Sequence, residues 1–366
     1  MDRVGIGIVG LGNISGAYLK AAKDFSILDI RAVADMNPAA AKARADEFGL
    51  KAVGLDEIFA DPGVEIILNL TIPKAHVEVG LRAIAAGKHV YSEKPLGVEF
   101  VEGQKLIAAA KARGLRVGSA PDTFLGGAHQ TSRRIVDEGT LGLPVGGTAY
   151  FMCPGHERWH PNPAFYYEAG GGPMLDMGPY YITDLVNLLG PVAKVLGFGT
   201  MVRKTRTITA KERAGEVIPV HVPTHVAGTL MFKNGAVVQV TMSFDVAGHR
   251  HVPIEIYGTE GTLVVPDPNR FGGQIEMLRK GGEWAKVETD MPYADEGNYR
   301  SIGLADMAHA IRQNRPHRAS GELALHVLEV MEAFEISSKS GSVVEITTPV
   351  ERPAPLSTSL VDGRLG

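Results

Sequence analysis

Cysteine is nearly absent from this chain, since Cys153 is the only one in 366 residues. A single cysteine cannot form a disulfide within the chain, which suits a reducing compartment. No apolar run approaches the roughly 20 residues of a membrane-spanning helix. The N-terminus enters an apolar strand almost at once, which leaves no room for a signal peptide. We therefore expect a cytoplasmic protein that does not associate with membranes.

An excess of either charge is also lacking, because 37 basic residues face 41 acidic ones. A net charge of −4 gives no electrostatic footprint for nucleic acid or an anionic membrane. Hydrophobic residues make up 45% of the chain, as in ordinary globular proteins. The length is sufficient for two domains, each with its own core.

Strand and helix patterns alternate through the first 120 residues, which predicts a doubly wound parallel sheet with helices on both faces. The expected strands are 4–9, 28–34, 65–70, 88–92 and 115–119. The expected helices are 15–23, 38–48, 74–86 and 99–113.

The pattern changes near Pro121, where consecutive strands without intervening helices begin. We expect strands at 145–152, 192–206, 225–232, 236–246, 252–257 and 262–265, with helices from about Tyr180 to Leu189, at 301–313 and at 321–339. This second region is predicted to be an α/β domain with a large, mainly antiparallel sheet whose open face finds a partner. The predicted division is 1–121, 122–350 and an irregular tail, 351–366.

A glycine turn follows the first strand and indicates a dinucleotide site. Two registers of G-x-G-x-x-G overlap here, starting at Gly5 and at Gly10. Only the second, which ends with Ser15, follows a strand and opens a helix, as the fingerprint requires. The pyrophosphate would lie over the helix N-terminus, where free N–H groups favour an anion.

Asp35 ends the second strand, 20 residues beyond Ser15. A carboxylate there can accept hydrogen bonds from both ribose hydroxyls and repels a 2′-phosphate. Residues 36–38 offer no Arg or Lys to hold such a phosphate, so NAD is favoured over NADP. The alternative is that Asp35 simply caps the helix that starts at Pro38.

Two clusters could carry chemistry. Lys94 follows the fourth strand, at the edge of a doubly wound sheet where ligands bind, and it can hydrogen-bond a substrate hydroxyl. Asp176 and Tyr180 are four apart near the start of a helix, so they share a face if the first turn is helical. The alternatives are an ordinary loop lysine, a capping aspartate and a core tyrosine.

The segment from His156 to His160 matches H-E-x-x-H, the zinc-protease motif. That chemistry needs both histidines one turn apart on a helix. Pro154 and Gly155 precede the segment and Pro161 follows it, so we expect an aromatic, polar loop and no metal site.

Taken together, these motifs make the chain resemble the Gfo/Idh/MocA family of sugar and cyclitol oxidoreductases over nearly its whole length. The resemblance implies an N-terminal Rossmann domain and a C-terminal domain whose open sheet makes homodimers or homotetramers. It places Lys94 and Asp176 at the reacting carbon. The cofactor residues that the motifs imply are Gly10, Gly12, Asn13, Ile14, Asp35, Thr71, Ile72, Pro73, His76, Glu93 and Lys94.

The chain departs from the family pattern D-x-G-x-H, in which the histidine is the acid/base. Tyr180 stands at that position in D-M-G-P-Y-Y. Either Tyr180, with its phenolate favoured by the nearby Lys94, takes the proton, or Lys94 does, or a loop histidine moves in. We favour Tyr180 with Lys94, oriented by Asp176.

The sequence therefore predicts an NAD-dependent dehydrogenase that oxidises a hydroxyl of a sugar, glycoside or cyclitol. Further substrate contacts are expected from the loops, at Asp122, Thr123, Trp159, His160 and Asn162. The alternatives are an NAD-binding sensor protein on the same fold and a redox-neutral glycosidase that requires NAD.

Overall fold

The first 120 residues form a parallel sheet between two layers of helices. The structure, a computed structural model, describes residues 2–357 and 365. The sheet order is β2-β1-β3-β4-β5. Its strands are β1 (Val4–Val9), β2 (Leu28–Ala34), β3 (Ile66–Asn69), β4 (His89–Ser92) and β5 (Val117–Ser119). The helices are α1 (Ser15–Ala21), α2 (Pro38–Phe48), α3 (Leu55–Ala60), α4 (His76–Ala85) and α5 (Phe100–Ala112).

The central position of β1 agrees with its composition. Every residue of β1 is buried, as expected for a central strand that is covered on both faces. The chain order reverses beside β1, with β2 on one side and β3 on the other. This switch point opens a crevice at the carboxyl ends of the strands, where the glycine turn lies.

A nine-stranded mixed sheet forms the second region, in the order β15-β14-β13-β12-β6-β11-β10-β7-β16. Only the β6–β11 pair is parallel among the described strands of this sheet. Its strands are β6 (Pro144–Met152), β7 (Val192–Thr200), β10 (His225–Phe232), β11 (Val237–Ser243), β12 (Ile254–Gly258), β13 (Gly261–Val265), β14 (Ile275–Arg279), β15 (Trp284–Val287) and β16 (Val344–Glu345). A separate hairpin pairs β8 (Thr205–Thr207) with β9 (Val217–Pro219).

The helices of the second region are α6 (Gly127–Asp137), α7 (Gly172–Leu189), α8 (Ile302–Gln313) and α9 (Gly321–Ser340). Helix α8 packs on β5 of the parallel sheet, whereas α6, α7 and α9 cover one face of the nine-stranded sheet. Helix α9 packs on β7 and helix α7 on β11. The other face exposes apolar side chains, and Phe198 is 61% exposed there. The predicted α/β architecture, a parallel sheet followed by a large, mainly antiparallel sheet with an open face, is confirmed.

Two element boundaries differ from the predictions. Helix α7 begins at Gly172 rather than near Tyr180, because Pro173 occupies its first turn and Pro179 is accommodated inside it. The predicted strand 192–206 is two strands, since β7 ends at Thr200 and β8 belongs to the hairpin. The domain boundaries stay predictions, and residues 358–364 and 366 of the expected irregular tail lie outside the described residues.

None of the described helices combines the length and the apolar character that a membrane crossing demands.

Candidate functional site

The glycine turn after β1 has the geometry of a phosphate cradle. Gly10 has φ +93°, and a Cβ there would lie 2.6 Å from the Leu70 carbonyl carbon. A Cβ on Gly12 would meet no atom within 4 Å, so the space above the turn is open. Helix α1 begins at Ser15, with Ile14 as its N-cap residue. By contrast, Gly5 lies inside β1, and a Cβ there would lie 1.8 Å from the Gly63 carbonyl oxygen, so only the second register stands between a strand and a helix.

Asp35 reaches this turn from the end of β2. Its Oδ2 accepts a hydrogen bond from the Leu11 N–H at 2.7 Å and its Oδ1 one from the Asn37 N–H at 2.8 Å. The cap of helix α2 is the Asn37 side chain, which accepts from the Ala39 N–H at 3.1 Å. Asp35 is thus the carboxylate beside the turn and not the cap of α2.

His76 fixes the loop after β3 against the loop after β4. Its Nδ1 lies 2.7 Å from the Pro95 carbonyl oxygen and its Nε2 lies 3.0 Å from that of Thr71. Burial lowers the pKa of His76, so the neutral ring donates to one of these carbonyls at a time. Ile72 and Pro73 lie in the segment held in this way, and the Ile72 side chain is exposed.

Lys94, Asp176 and His156 converge from three separate segments. The Lys94 Nζ donates to Asp176 Oδ1 at 2.9 Å and to the Asp176 carbonyl oxygen at 2.7 Å. His156 Nε2 lies 3.2 Å from Asp176 Oδ2. Asp176 therefore bridges a cation from the loop after β4 and a histidine from the loop after β6.

The protonation states in this cluster follow from its contacts. Burial alone would raise the pKa of Asp176, but Lys94 and His156 hold it at about 2. Burial opposes the charge on Lys94, but Asp176, followed by Tyr180 and Glu93, outweighs it and raises the pKa of Lys94. The Trp159 indole, which can only donate, bonds His156 Nδ1 at 3.2 Å, so the neutral ring carries its proton on Nε2.

Tyr180 lies one turn after Asp176 on α7 and is almost fully buried. The Lys94 Nζ stands over its ring, 5.1 Å from the ring centroid. Arg300 immediately precedes Ser301, the N-cap residue of α8. Burial opposes the charge on Arg300, but the nearby Tyr180 outweighs burial and raises the pKa of Arg300.

Glu93 is hydrogen-bonded to two segments next to this cluster. Its carboxylate accepts from the Tyr18 hydroxyl at 2.8 Å and from the Lys94 N–H at 2.8 Å. It is buried, and it ties the loop after β4 to helix α1.

The five predicted loop contacts divide into two groups. Asp122 and Thr123 are buried, and Asp122 accepts from the N–H groups of Ser301 and Gly303. Asp122 thus holds the start of α8, and substrate contacts at Asp122 and Thr123 stay predictions. The second group lies on the loop after β6 and comprises Trp159, His160 and Asn162, of which Trp159 is 56% exposed.

The H-E-x-x-H segment is a turn and not an α-helix, as its flanking prolines predict. Its first two residues serve different networks. His156 reaches Asp176, whereas Glu157 bonds Arg206. Within the described residues, no three His, Cys, Asp or Glu side chains are grouped as a metal site.

Sequence reasoning did not assign His156 or Arg300 to the site. A loop histidine was among the open alternatives, but nothing singled out His156 from its neighbours. Arg300 gives no sequence signal at all, because it lies in an irregular segment 120 positions from Tyr180.

Two family models match most of the chain. Residues 4–120 match a model described as an oxidoreductase family with an NAD-binding Rossmann fold. Residues 129–264 match the GFO/IDH/MocA C-terminal domain.

Two curated relatives are similar to the chain over most of their length, and a third over a shorter part. The chain is 26% identical to 1,5-anhydro-D-fructose reductase of Ensifer adhaerens over 314 residues, which cover 84% of this chain and 88% of that protein. It is 24% identical to levoglucosan dehydrogenase of Pseudarthrobacter phenanthrenivorans, with 72% and 74% covered. Inositol 2-dehydrogenase/D-chiro-inositol 3-dehydrogenase of Lactiplantibacillus plantarum is 30% identical over a shorter match, 38% of this chain and 41% of that protein.

Solved structures show the same fold. A levoglucosan dehydrogenase in complex with NADH and L-sorbose superposes with a TM-score of 0.83 at 21% identity, covering 95% of this chain and 100% of that one. An NAD-binding oxidoreductase from Klebsiella pneumoniae gives the same TM-score at 24% identity, with the same coverage.

Proposed function

Because the chain belongs to the GFO/IDH/MocA family of oxidoreductases, with its NAD-binding Rossmann fold, we propose that it oxidises a hydroxyl of a sugar, glycoside or cyclitol with NAD. The observation that carries this proposal is the contact of Lys94 with Asp176 at the carboxyl end of the parallel sheet. The named relatives act on small polyols, namely inositols, levoglucosan and anhydrofructose, which supports this substrate class.

The turn and the second strand fit NAD. The open space above Gly12 leaves room for a pyrophosphate over the start of α1. The Asp35 carboxylate stands where it can accept from ribose hydroxyls and where it would repel a 2′-phosphate. Asn13, Thr71 and Ile72 are proposed to line the same cofactor.

NAD, when bound, supplies a hydride acceptor at the nicotinamide C4. The residues of the chain handle the substrate oxygen. Lys94 stays protonated at neutral pH because its pKa is raised, so it serves as a cationic donor to that oxygen rather than as a base. Asp176 holds the ammonium group in place. Either Tyr180 or His156 is then proposed to accept the hydroxyl proton. The sequence alone had also left Lys94 open as the acceptor.

Further substrate contacts are proposed on the loop after β6. The rings of Trp159 and His160 lie 5.2 Å apart, and those of His160 and Phe165 5.3 Å apart. Aromatic rings and polar groups side by side suit a polyol, which presents both C–H and O–H groups. Asn162 adds an amide at the same loop, bonded by Arg213 at 2.5 Å.

The open face of the nine-stranded sheet is the proposed contact between subunits of a homodimer or homotetramer. Leu196, Phe198, Met231 and Val237 expose apolar surface on β7, β10 and β11. Such surface is normally covered by a partner. A cytoplasmic location remains part of the proposal, on the basis of the single cysteine.

Incubation of the protein with NAD and a panel of sugars, glycosides and cyclitols, followed at 340 nm, tests the proposal. We expect NADH to accumulate in proportion to one class of substrate. Cleavage of a glycoside without net NADH would establish the redox-neutral glycosidase instead. Binding of NAD with no turnover of any panel member would favour the sensor protein.

A further inference from the structure

A cavity of about 440 Å³ lies between the loop after β6 and the segment that contains β8. This volume falls within the roughly 300–1,000 Å³ that is typical of small-molecule sites. The lining is rich in guanidinium and hydroxyl groups, which come from Arg158, Arg203, Arg206, Thr205, Thr207 and Thr209. Both kinds of group donate hydrogen bonds, so the cavity suits a ligand that carries several acceptors.

The charge around this cavity is positive, although the chain as a whole has a net charge of −4. Residues 203–206 read R-K-T-R, and Arg158 faces the same space from the loop after β6. Among the described residues that line the cavity, the acidic side chain is Glu157. Its carboxylate is already bonded by Arg206 at 3.0 Å and by the Tyr167 hydroxyl. Glu157 therefore does not offset the other two arginines.

Arg158 and Arg203 keep the forked ends of their side chains available. Both residues are exposed to solvent. The Arg158 Nε donates to the Gly155 carbonyl oxygen at 3.4 Å, and its two terminal nitrogens have no hydrogen-bond partner among the described residues. Neither arginine forms an ion pair within the part of the chain that the structure describes. Two guanidinium groups can thus turn to the same ligand.

Arg206 provides a separate indication that an acceptor belongs here. Its terminal nitrogens donate to Glu157 and to the Phe244 carbonyl oxygen, the latter at 2.9 Å. Its Nε, by contrast, is buried and has no hydrogen-bond partner among the described residues. A buried donor without an acceptor is unfavourable, so an acceptor at this place would be stabilising.

We propose that this cavity binds the phosphate or carboxylate group of a small molecule. The planar fork of arginine matches the paired oxygens of both groups, and the threonine hydroxyls can donate to the remaining oxygens. Lys94 and Asp176 do not line the cavity, so the anionic group would lie apart from the reacting hydroxyl. Two sources share this chemistry, namely a separate anionic ligand and an anionic substituent of the substrate. Only the second source rests on the proposed dehydrogenase.

Calorimetric titration of the full chain with inorganic phosphate tests the site, at an ionic strength held constant with chloride. We expect one saturable site with a Kd of about 1 mM or lower. Arg158→Gln and Arg203→Gln should each raise that Kd about tenfold or more, because each removes a charged donor pair. Arg203→Lys should raise it less, since lysine returns the charge without the fork. The matched control is Arg31→Gln, an exposed arginine 2.6 Å from Asp29, which should leave the Kd unchanged.

A second pair of measurements distinguishes the two sources. For a separate ligand, the Kd of phosphate should be the same with and without a saturating neutral polyol, and Arg203→Gln should change no KM. For a substituent of the substrate, Arg203→Gln should raise the KM of a phosphorylated polyol about tenfold and leave that of the neutral polyol unchanged. Either result supports an anion site in this cavity.

Three results would overturn the proposal. One is a titration that does not saturate below about 10 mM phosphate. Another is an equal rise in Kd for Arg203→Gln and for the Arg31→Gln control, which would show general charge attraction. The third is loss of fold in both glutamine variants at the cavity, seen by circular dichroism, which would assign these arginines a structural role. If no polyol is oxidised at all, the proposed function fails, whereas the phosphate titration still decides whether the site exists.

Discussion

Two adjacent residues, His156 and Glu157, belong to different ion clusters. The two clusters differ in how far their cations are exposed to solvent. His156 belongs to the cluster of Lys94 and Asp176, whereas Glu157 bonds Arg206. Both terminal nitrogens of Arg206 are occupied by protein oxygens, and its side chain is 2% exposed. Lys94 is 16% exposed, and within the described residues only two of its three donors are engaged.

This difference separates a cation that holds the fold from one that can act on a substrate. Arg206 ties the loop after β6 to Phe244 and Asp245, just beyond β11. Its removal would leave two buried carboxylates without a cation. The third donor of Lys94 has no hydrogen-bond partner among the described residues, so a substrate oxygen can accept from it. The four predictions below test this contrast, from the largest expected effect to the smallest.

Lys94→Ala should lower kcat by about a thousandfold or more, because both the donor to the substrate oxygen and the partner of Asp176 are lost. NAD affinity should change little, since the turn after β1 is untouched. Rates at 340 nm and a fluorescence titration with NAD measure the two effects. The control is Lys51→Ala, which removes an exposed ion pair with Glu57. Turnover of Lys94→Ala at the normal rate would refute the mechanism.

Arg206→Met should lower the free energy of unfolding by about 3 kcal/mol, because Glu157 and Asp245 would remain buried without a cation, bonded by the hydroxyls of Tyr167 and Thr224. Urea unfolding followed by circular dichroism measures this. Arg134→Met, which breaks a surface pair with Asp290, should cost less than about 1 kcal/mol. Equal losses in the two variants would show that the buried cluster does not stabilise the fold.

Acid should weaken the Lys94–Asp176 cluster. The pKa of Asp176 in the folded protein is lowered to about 2 from the usual 3.8 of an aspartate, so its stabilisation is present above about pH 4 and is lost as the pH falls through about 2. The contribution amounts to about 2 kcal/mol. Unfolding free energies of the protein and of Asp176→Asn, measured from pH 6 downward, should converge in this window. A difference that does not vary with pH would contradict the prediction.

His156→Gln should reduce kcat only about tenfold, because Asp176 loses one donor and keeps Lys94. The control is His249→Gln, an exposed histidine on the loop before β12. A loss as large as that of Lys94→Ala would make His156 the proton acceptor, and the role proposed for Tyr180 would then be wrong.

The N-terminal fold could be predicted closely because each of its elements has a local pattern. The buried strand β1, the turn at Gly10 and the acidic end of β2 all lie within 35 residues. In the second region the predicted helix from about Tyr180 to Leu189 begins too late, because α7 starts at Gly172. Pro179 lies inside α7, and packing of that helix on β11 and α9 outweighs the hydrogen bond that proline cannot donate.

The site could be predicted only in part. Lys94 and Asp176 stand in recognisable motifs, and the structure brings them within 2.9 Å of each other. Nothing in the sequence indicated that the Asp122 carboxylate, expected on a loop that contacts substrate, accepts from the backbone at the start of α8. Arg300 lies in a segment without periodicity, so no pattern could place it beside Tyr180.

By itself the sequence determined where the proposed cofactor site lies, because its glycine turn and its acidic residue are close together along the chain. It also determined that a lysine and an aspartate would share a site. Only the tertiary structure decided which further charged and titratable side chains surround that site. His156 and Arg300 approach Asp176 and Tyr180 through long-range packing, and such contacts depend on side-chain direction and burial that no local pattern records.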